Sequence, residues 1–321
     1  VLFDRSNHGV LSGIGIRGGT FWQTLFLLSD DCSAIHLSLL GVSVNTDGID
    51  IDGVSNFVAR DCFIRCEDDG FGWHALDAET NGEPPTRNAL AEDCVIWNTR
   101  YGNGLRLGAS METELFENIT FRNIDVLEHS GAAIYADHSD WATNRNIRFE
   151  NFTDETGKTT VDIYIGKTKY SNSTGFRDER GHYDGLYFVN LNSPGGLIRL
   201  RGYDADHLIE NVVFENCYNG GAVDVLEDIS INAYVTNVSF DISPPELQVN
   251  DFQLIPGFPG WLNLSFSSVY ALPYDILATD ELATDPFTSI QSISGAGGST
   301  SILFHDPGME GKSRRFYRVG Q

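Results

Sequence analysis

The sequence predicts an all-β chain: a right-handed parallel β-helix followed by a small β-sandwich-like domain. Three observations carry that reading. Apolar residues alternate over short segments with no sustained helical period. These segments recur about every 20–35 residues along most of the chain. The composition, with 33 glycines and 20 phenylalanines against 2 methionines, suits tight turns and strands rather than helices.

The repeat has two parts. One set of segments reads Gly48-Ile-Asp-Ile51, Gly70-Phe-Gly-Trp73, Gly104-Leu-Arg-Leu107, Ala133-Ile-Tyr135, Val161-Asp-Ile-Tyr-Ile165, Leu197-Ile-Arg-Leu200 and Ala222-Val-Asp-Val225. Between them lies a second set, such as Asn56–Ile64, Asn88–Ile96, Glu114–Phe121, Asn146–Phe152 and Glu210–Cys217, with a recurrent Glu-Asn or Asp-Cys corner. A unit this short cannot bury its own apolar face and must stack on its neighbours. Propeller blades of about 40–45 residues, or sandwich hairpins, fit the spacing less well. The pattern runs to about Phe240 and ends at Pro244-Pro245, because consecutive prolines cannot continue a ladder. We therefore divide the chain into residues 1–245, a β-helix that starts in mid-pattern and is read as N-terminally truncated, and residues 246–321, a β-rich accessory domain. The five cysteines include no metal-type CxxC pair and are read as buried free thiols.

With 21 basic against 45 acidic side chains the formal net charge is -24. No basic face is available to neutralise phosphates, so nucleic acid is excluded as a partner. No apolar run approaches the roughly 18–20 residues of a membrane span.

The acids are not evenly spread. In Asn45-Thr-Asp-Gly-Ile-Asp-Ile-Asp52, the inward Ile49 and Ile51 leave Asp50 and Asp52 pointing outward. Asp68 of Cys66-Glu-Asp-Asp-Gly70 follows Asp47 by 21 residues, about one coil, which stacks the two sites about 4.8 Å apart. Asp47, Asp68 and Asp69 then crowd one patch, and like charges that close raise at least one pKa. A protonated carboxyl beside ionised ones is the equipment of glycosidic hydrolysis. Clustered carboxylates also suit calcium, as in a polysaccharide lyase, which needs a strong base beside the metal.

Asn45-Thr-Asp47, the Asp68-Asp69 pair and Gly102-Asn-Gly-Leu-Arg-Leu-Gly108 resemble, in order and spacing, the motifs of the polygalacturonase-like (family 28) glycoside hydrolases of the pectin-lyase-like fold. Gly19-Thr-Phe-Trp22 is similar to the aromatic segment that precedes the active coils in that family. The resemblance covers about residues 11–235. It implies an inverting, metal-independent hydrolase without a cofactor, in which Asp68 is the general acid and Asp47 with Asp69 activate water. Two departures bear on substrate. The family's Gly-His-Gly is Gly102-Asn103-Gly104 here, and its Arg-Ile-Lys is Ile134-Tyr135-Ala136, so the pair that holds a galacturonate carboxylate is missing. Glu92-Asp-Cys-Val-Ile-Trp-Asn98 is similar to the dextranase-type (family 49) members, which act on neutral glucans.

Alternation places Arg106, Tyr135, Tyr164, Arg199 and Asp224 on one outward groove, where tyrosines can stack on sugar rings. Asn45, His74, Asn103, Arg106 and Tyr135 are the expected substrate contacts, and residues 75–88 form a wall. The expected protein is a secreted or periplasmic monomer, without a metal, hydrolysing a poly- or oligosaccharide other than polygalacturonate. A calcium-dependent lyase and a non-catalytic glycan-binding β-helix are the alternatives.

Overall fold

A computed structural model describes residues 1–171, 175, 177–241, 249–254, 261–268, 273–280, 288–294, 298–309 and 315–320. The chain divides into two compact units, Val1–Asp241 and Ile242–Gln321. The expected boundary at residues 245/246 lies outside the described residues.

The first unit is a parallel β-helix. Its first sheet has nine strands in chain order, from Leu2–Asp4 and Thr24–Leu27 through Ile49–Asp52, Phe71–Ala75, Leu105–Met111, Ile134–His138, Thr159–Ile165 and Leu197–Arg201 to Ser230–Ile231. A second, 13-stranded sheet runs alongside it. In the early coils the second sheet's contribution is split, as in Ser55–Arg60 and Phe63–Cys66; in later ones it is one long strand such as Thr86–Asn98. Each strand pairs in parallel with the equivalent strand of the next coil, so inward residues form columns. Phe121, Phe149, Phe188, Phe214 and Phe240 stack with centroids 5.7, 5.3, 4.7 and 5.6 Å apart and nearly parallel rings. Burying each of the fully enclosed rings contributes about 1.5–3 kcal/mol.

The corners of the second sheet explain the recurrent asparagine. Asn56, Asn88, Asn118 and Asn146 all adopt left-handed φ between 52° and 58°, which asparagine tolerates better than most residues. Their side chains form a ladder: Asn56 donates to Asp31 (2.9 Å), Asn88 to Asn56 (3.0 Å), Asn118 to Asn88 (3.1 Å) and Asn146 to Asn118 (2.9 Å). A second ladder runs Asp93, Asn123, Asn151, Asn190. All five cysteines are buried and unpaired as disulfides.

One detail differs from the sequence reading and another is added to it. Ala222–Val225 is not a sheet strand; the last strand of the first sheet is Ser230–Ile231, which pairs with Arg199–Leu200, and Asp224 is exposed beside the short 3-10 turn Leu226–Asp228. Residues 75–88 contain a single helical turn, Ala78–Asn81, pinned where Glu112 accepts from the Ala78 amide (2.9 Å). Among the described residues no helix is long and apolar enough to cross a membrane.

The second unit contains two antiparallel three-stranded sheets, Val249–Leu254 with Trp261–Ser268 and Gly298–His305, and Thr288–Ser294 with Pro273–Thr279 and Phe316–Gly320. Leu262, Leu264, Phe266 and Phe304 of one share a core with Ile276 and Val319 of the other, a small sandwich.

Candidate active site

The corner that leads into the first sheet brings the three predicted carboxylates together. Gly48, Gly70 and Gly104 occupy equivalent places on successive coils, and a Cβ on them would lie 2.2 Å from the Gly70 carbonyl oxygen, 2.4 Å from that of Gly104 and 2.6 Å from that of Ala133. Only glycine lets the coils close there. The residues just before these glycines, Asp47, Asp69 and Asn103, are therefore aligned, and the Gly48 amide donates to the Asp69 carbonyl (2.9 Å) and the Gly70 amide to that of Asn103 (3.1 Å). The register makes Asp69, rather than Asp68, the partner of Asp47 one coil away; Asp68 sits one residue outward and is half-exposed. One carboxylate oxygen from each of Asp47, Asp68 and Asp69 falls within 4.8 Å of the others.

The three differ in their surroundings. Asp69 is buried, and its Oδ1 accepts from the amide (2.8 Å) and the side-chain Nδ2 (2.7 Å) of Asn103. Its Oδ2 lies 3.4 Å from Arg106 Nη1. Burial raises its pKa, while Arg106 and Asn103 oppose that rise. Asp47 is less well supported: its Oδ1 is buried without a hydrogen-bond partner, and burial with the Asp69 and Asp68 charges pushes its pKa up to about 8. Asp68 is raised to about 6 by partial burial and by Asp69. With its pKa at about 8, Asp47 keeps a proton at neutral pH.

Arg106 is the basic side chain that reaches this patch, and it is fixed from the other side. Its Nε and Nη2 donate to Asp137 Oδ1 (2.9 Å) and Oδ2 (2.6 Å). Asp137 was not singled out from the sequence; the signal was available, because it lies two residues after the outward Tyr135 and so on the same face. Tyr135 is half-buried, its ring 5.7 Å from the Arg106 guanidinium and its hydroxyl 3.3 Å from that of Tyr164.

The other expected contacts fall out differently. Asn103 is buried with both ends of its amide in use, Nδ2 on Asp69 and Oδ1 accepting from the Ala132 amide (2.9 Å). It orients Asp69 rather than offering a free group to a ligand. His74 is buried beneath Trp22, with ring centroids 5.5 Å apart and planes 14° apart. Burial and the Arg106 charge depress its pKa to about 3, so the ring is neutral. Asn45 is exposed two residues before Asp47, with a left-handed φ of 68°. Asp50 and Asp52 do point away from the coil interior but are not solvated: they are 0% and 4% exposed, because the Trp22 segment and the residue 75–88 connection cover that end of the face. Both Asp50 oxygens lack a hydrogen-bond partner, His74 Nε2 stands 3.7 Å away, and burial with the neighbouring acids drives its pKa well up.

Three carboxylates at this spacing also fit a hard divalent cation. Asp69 already has both oxygens engaged by Asn103 and Arg106, which leaves Asp47 and Asp68 as the groups with free valence for such an ion.

Comparison with family models and with curated proteins finds no match. Among solved structures the chain is similar to the family 28 exopolygalacturonase of Yersinia enterocolitica, at 14% identity and a TM-score of 0.46, over 73% of this chain and 43% of that enzyme. The chain thus spans under half the length of that protein.

Proposed function

We propose that this protein is a glycoside hydrolase acting on a poly- or oligosaccharide other than polygalacturonate. The observation that carries the reading is the unequal treatment of three carboxylates within 4.8 Å of one another: Asp68 half-exposed with a pKa near 6, Asp69 held by Asn103 and Arg106, Asp47 keeping a proton. Asp68 is the general acid that protonates the departing glycosidic oxygen, since it is the accessible carboxyl and holds its proton in mildly acidic solution. Asp69, whose ionised form is supported by Asn103 and Arg106, orients and deprotonates the attacking water. Asp47 completes the water site, and the proton that Asp69 takes from the water returns through solvent to Asp68, which restores the acid for the next turnover.

The resemblance to family 28 implies inversion, and we keep it. The closest oxygens, within 4.8 Å, lie nearer than the roughly 6.5–9.5 Å usual for inverting acid and base pairs. Proton NMR of the first anomer released tests it; retention reassigns Asp69 or Asp47 as a nucleophile.

Reducing-sugar release across neutral, uronic and sulfated polysaccharides tests the activity. Turnover on at least one, declining as the pH rises through about 6 where Asp68 loses its proton, is the expected result. The calcium-lyase alternative needs a nearby base, and Arg106, with its proton held by Asp137 and Asp69, is a poor one. Chelator-sensitive release of unsaturated, ultraviolet-absorbing products would favour the lyase instead. Binding without any turnover favours the non-catalytic reading.

A further inference from the structure

Every arginine on the outward face of the first sheet between the triad and its far end already has a carboxylate partner. Along this face one outward column reads Arg106, Tyr135, Asp162, Arg199 on successive coils, and the neighbouring column reads Asp137, Tyr164, Arg201. Arg106 is held bidentately by Asp137 and also reaches Asp69. Arg199 donates through Nε (3.1 Å) and Nη2 (2.5 Å) to the two oxygens of Asp162, and Arg201 Nη2 donates to Asp162 Oδ1 (3.0 Å). Three guanidiniums thus face Asp69, Asp137 and Asp162, with Asp68 and Asp47 in addition. The guanidinium faces are also occupied: Arg201 lies 4.7 Å from the centre of the Tyr164 ring, and Arg106 lies 5.3 Å from that of Tyr170. Lys169, exposed and 4.8 Å from the Tyr170 ring, makes no ion pair with a described residue. One such solvated ammonium does not offset the acids around it.

We infer that the sugar units taken along this face are uncharged. A uronate or sulfate here must compete with Asp137 or Asp162 for a guanidinium that is already paired, or lie beside the carboxylates of the triad; like charges across a binding surface are strongly disfavoured. Neutral pyranose hydroxyls have no such conflict. They donate to Asp68 and Asp162 and accept from the tyrosine hydroxyls, while the half-buried Tyr135 and Tyr164 offer ring edges to the sugar's apolar face. The inference rests on the glycosidase reading for the chemistry, but its charge argument concerns binding alone.

Matched pairs of polymers test it: native uronans and the same chains after chemical reduction of their carboxyl groups to primary alcohols, together with neutral glucans, galactans and mannans. Two readouts are taken, reducing-sugar release and retardation in affinity electrophoresis. We expect neutral or carboxyl-reduced polymers to be turned over or retained at least about tenfold better than native uronans. Asp162→Asn, which frees Arg199 and Arg201 without touching the triad, should increase retention by native uronans several-fold at low salt and lose that gain at high salt. Lys169→Ala should leave the preference unchanged. Stronger turnover or retention of a native uronan than of its reduced counterpart overturns the inference, as does failure of every polymer in both readouts. Retention of neutral polymers with no turnover of any would sink the glycosidase proposal and leave this inference standing.

Discussion

The outward face of the first sheet carries buried acids at both ends, but the two ends handle them in opposite ways. From Leu105–Met111 to Leu197–Arg201, Asp137 and Asp162 each bind guanidinium groups bidentately. On Ile49–Asp52 and the corner before it, Asp47, Asp50 and Asp52 are equally buried and have no cationic side chain in bonding contact; Asp52 accepts from the Leu76 amide (2.8 Å), and Asp50 has only the neutral His74 nearby. Burial of a charge must be answered by a partner or by a proton. One end answers burial with arginine, whereas at the other the carboxyl pKa values are pushed up. Asp69 lies on the seam, buried with the second group but reached by the last arginine of the first. A seam between a proton-rich and a charge-paired region is a sound place for a carboxyl that gives up a proton and another that takes one.

The contrast can be broken at several points. The largest effect is expected from Asp68→Asn, which removes the exchangeable proton at the seam and should lower kcat about a thousandfold with little change in KM; turnover within tenfold of the parent chain would remove Asp68 from the role of acid. Next is the charge-paired end. Asp137→Ala leaves Arg106 buried with only Asp69 for a partner, and urea titration should show a loss of about 3–5 kcal/mol. A loss below 1 kcal/mol would mean that the pair is not what holds the guanidinium.

The proton-rich end should reveal itself through pH. Folded Asp47 and Asp52 titrate at about 8 and about 7, whereas an unfolded aspartate titrates at about 3.9. Between those limits the folded chain binds more protons than the unfolded one, so their contribution is intact near pH 4 and is lost as the pH climbs through 7 to 8. Urea midpoints at pH 5 and pH 8 should differ in that direction, and Asp52→Asn should flatten the dependence. Stability that instead rises over the interval contradicts the assignment. The smallest effect belongs to Asp50→Asn. An amide has nearly the shape of the protonated carboxyl it replaces, so at pH 5 stability should move by less than about 1 kcal/mol, in contrast to the arginine-paired acids.

This contrast was only half legible in the sequence. Alternation and coil spacing show which side of a strand a residue faces, and that sufficed to group Asp47, Asp68 and Asp69 and to set Arg106 outward. It cannot show what covers the outside of a coil. Asp50, Asp52 and His74 read as outward groups and prove buried, because Trp22 and the connection after Ala75 lie over them. For Asp137 alternation shows the face but not the partner, because Arg106 is on another coil, coils here vary in length, and no fixed interval joins the two. Asp224 leaves the groove for a related reason: the alternating tetrapeptide Ala222–Val225 is not a strand, and the coil's edge on Leu197–Arg201 is filled by Ser230–Ile231.

The asparagine ladders have a direction. Each rung gives its amide hydrogen to the coil before it and offers its oxygen to the coil after, and the two longer ladders begin on an aspartate, Asp31 in one and Asp93 in the other. A carboxylate is tolerated at the head, where no donation is asked of it, and nowhere further along. Slow hydrolytic loss of the side-chain amide at Asn88 or Asn118 would therefore place an acceptor against an acceptor between two coils.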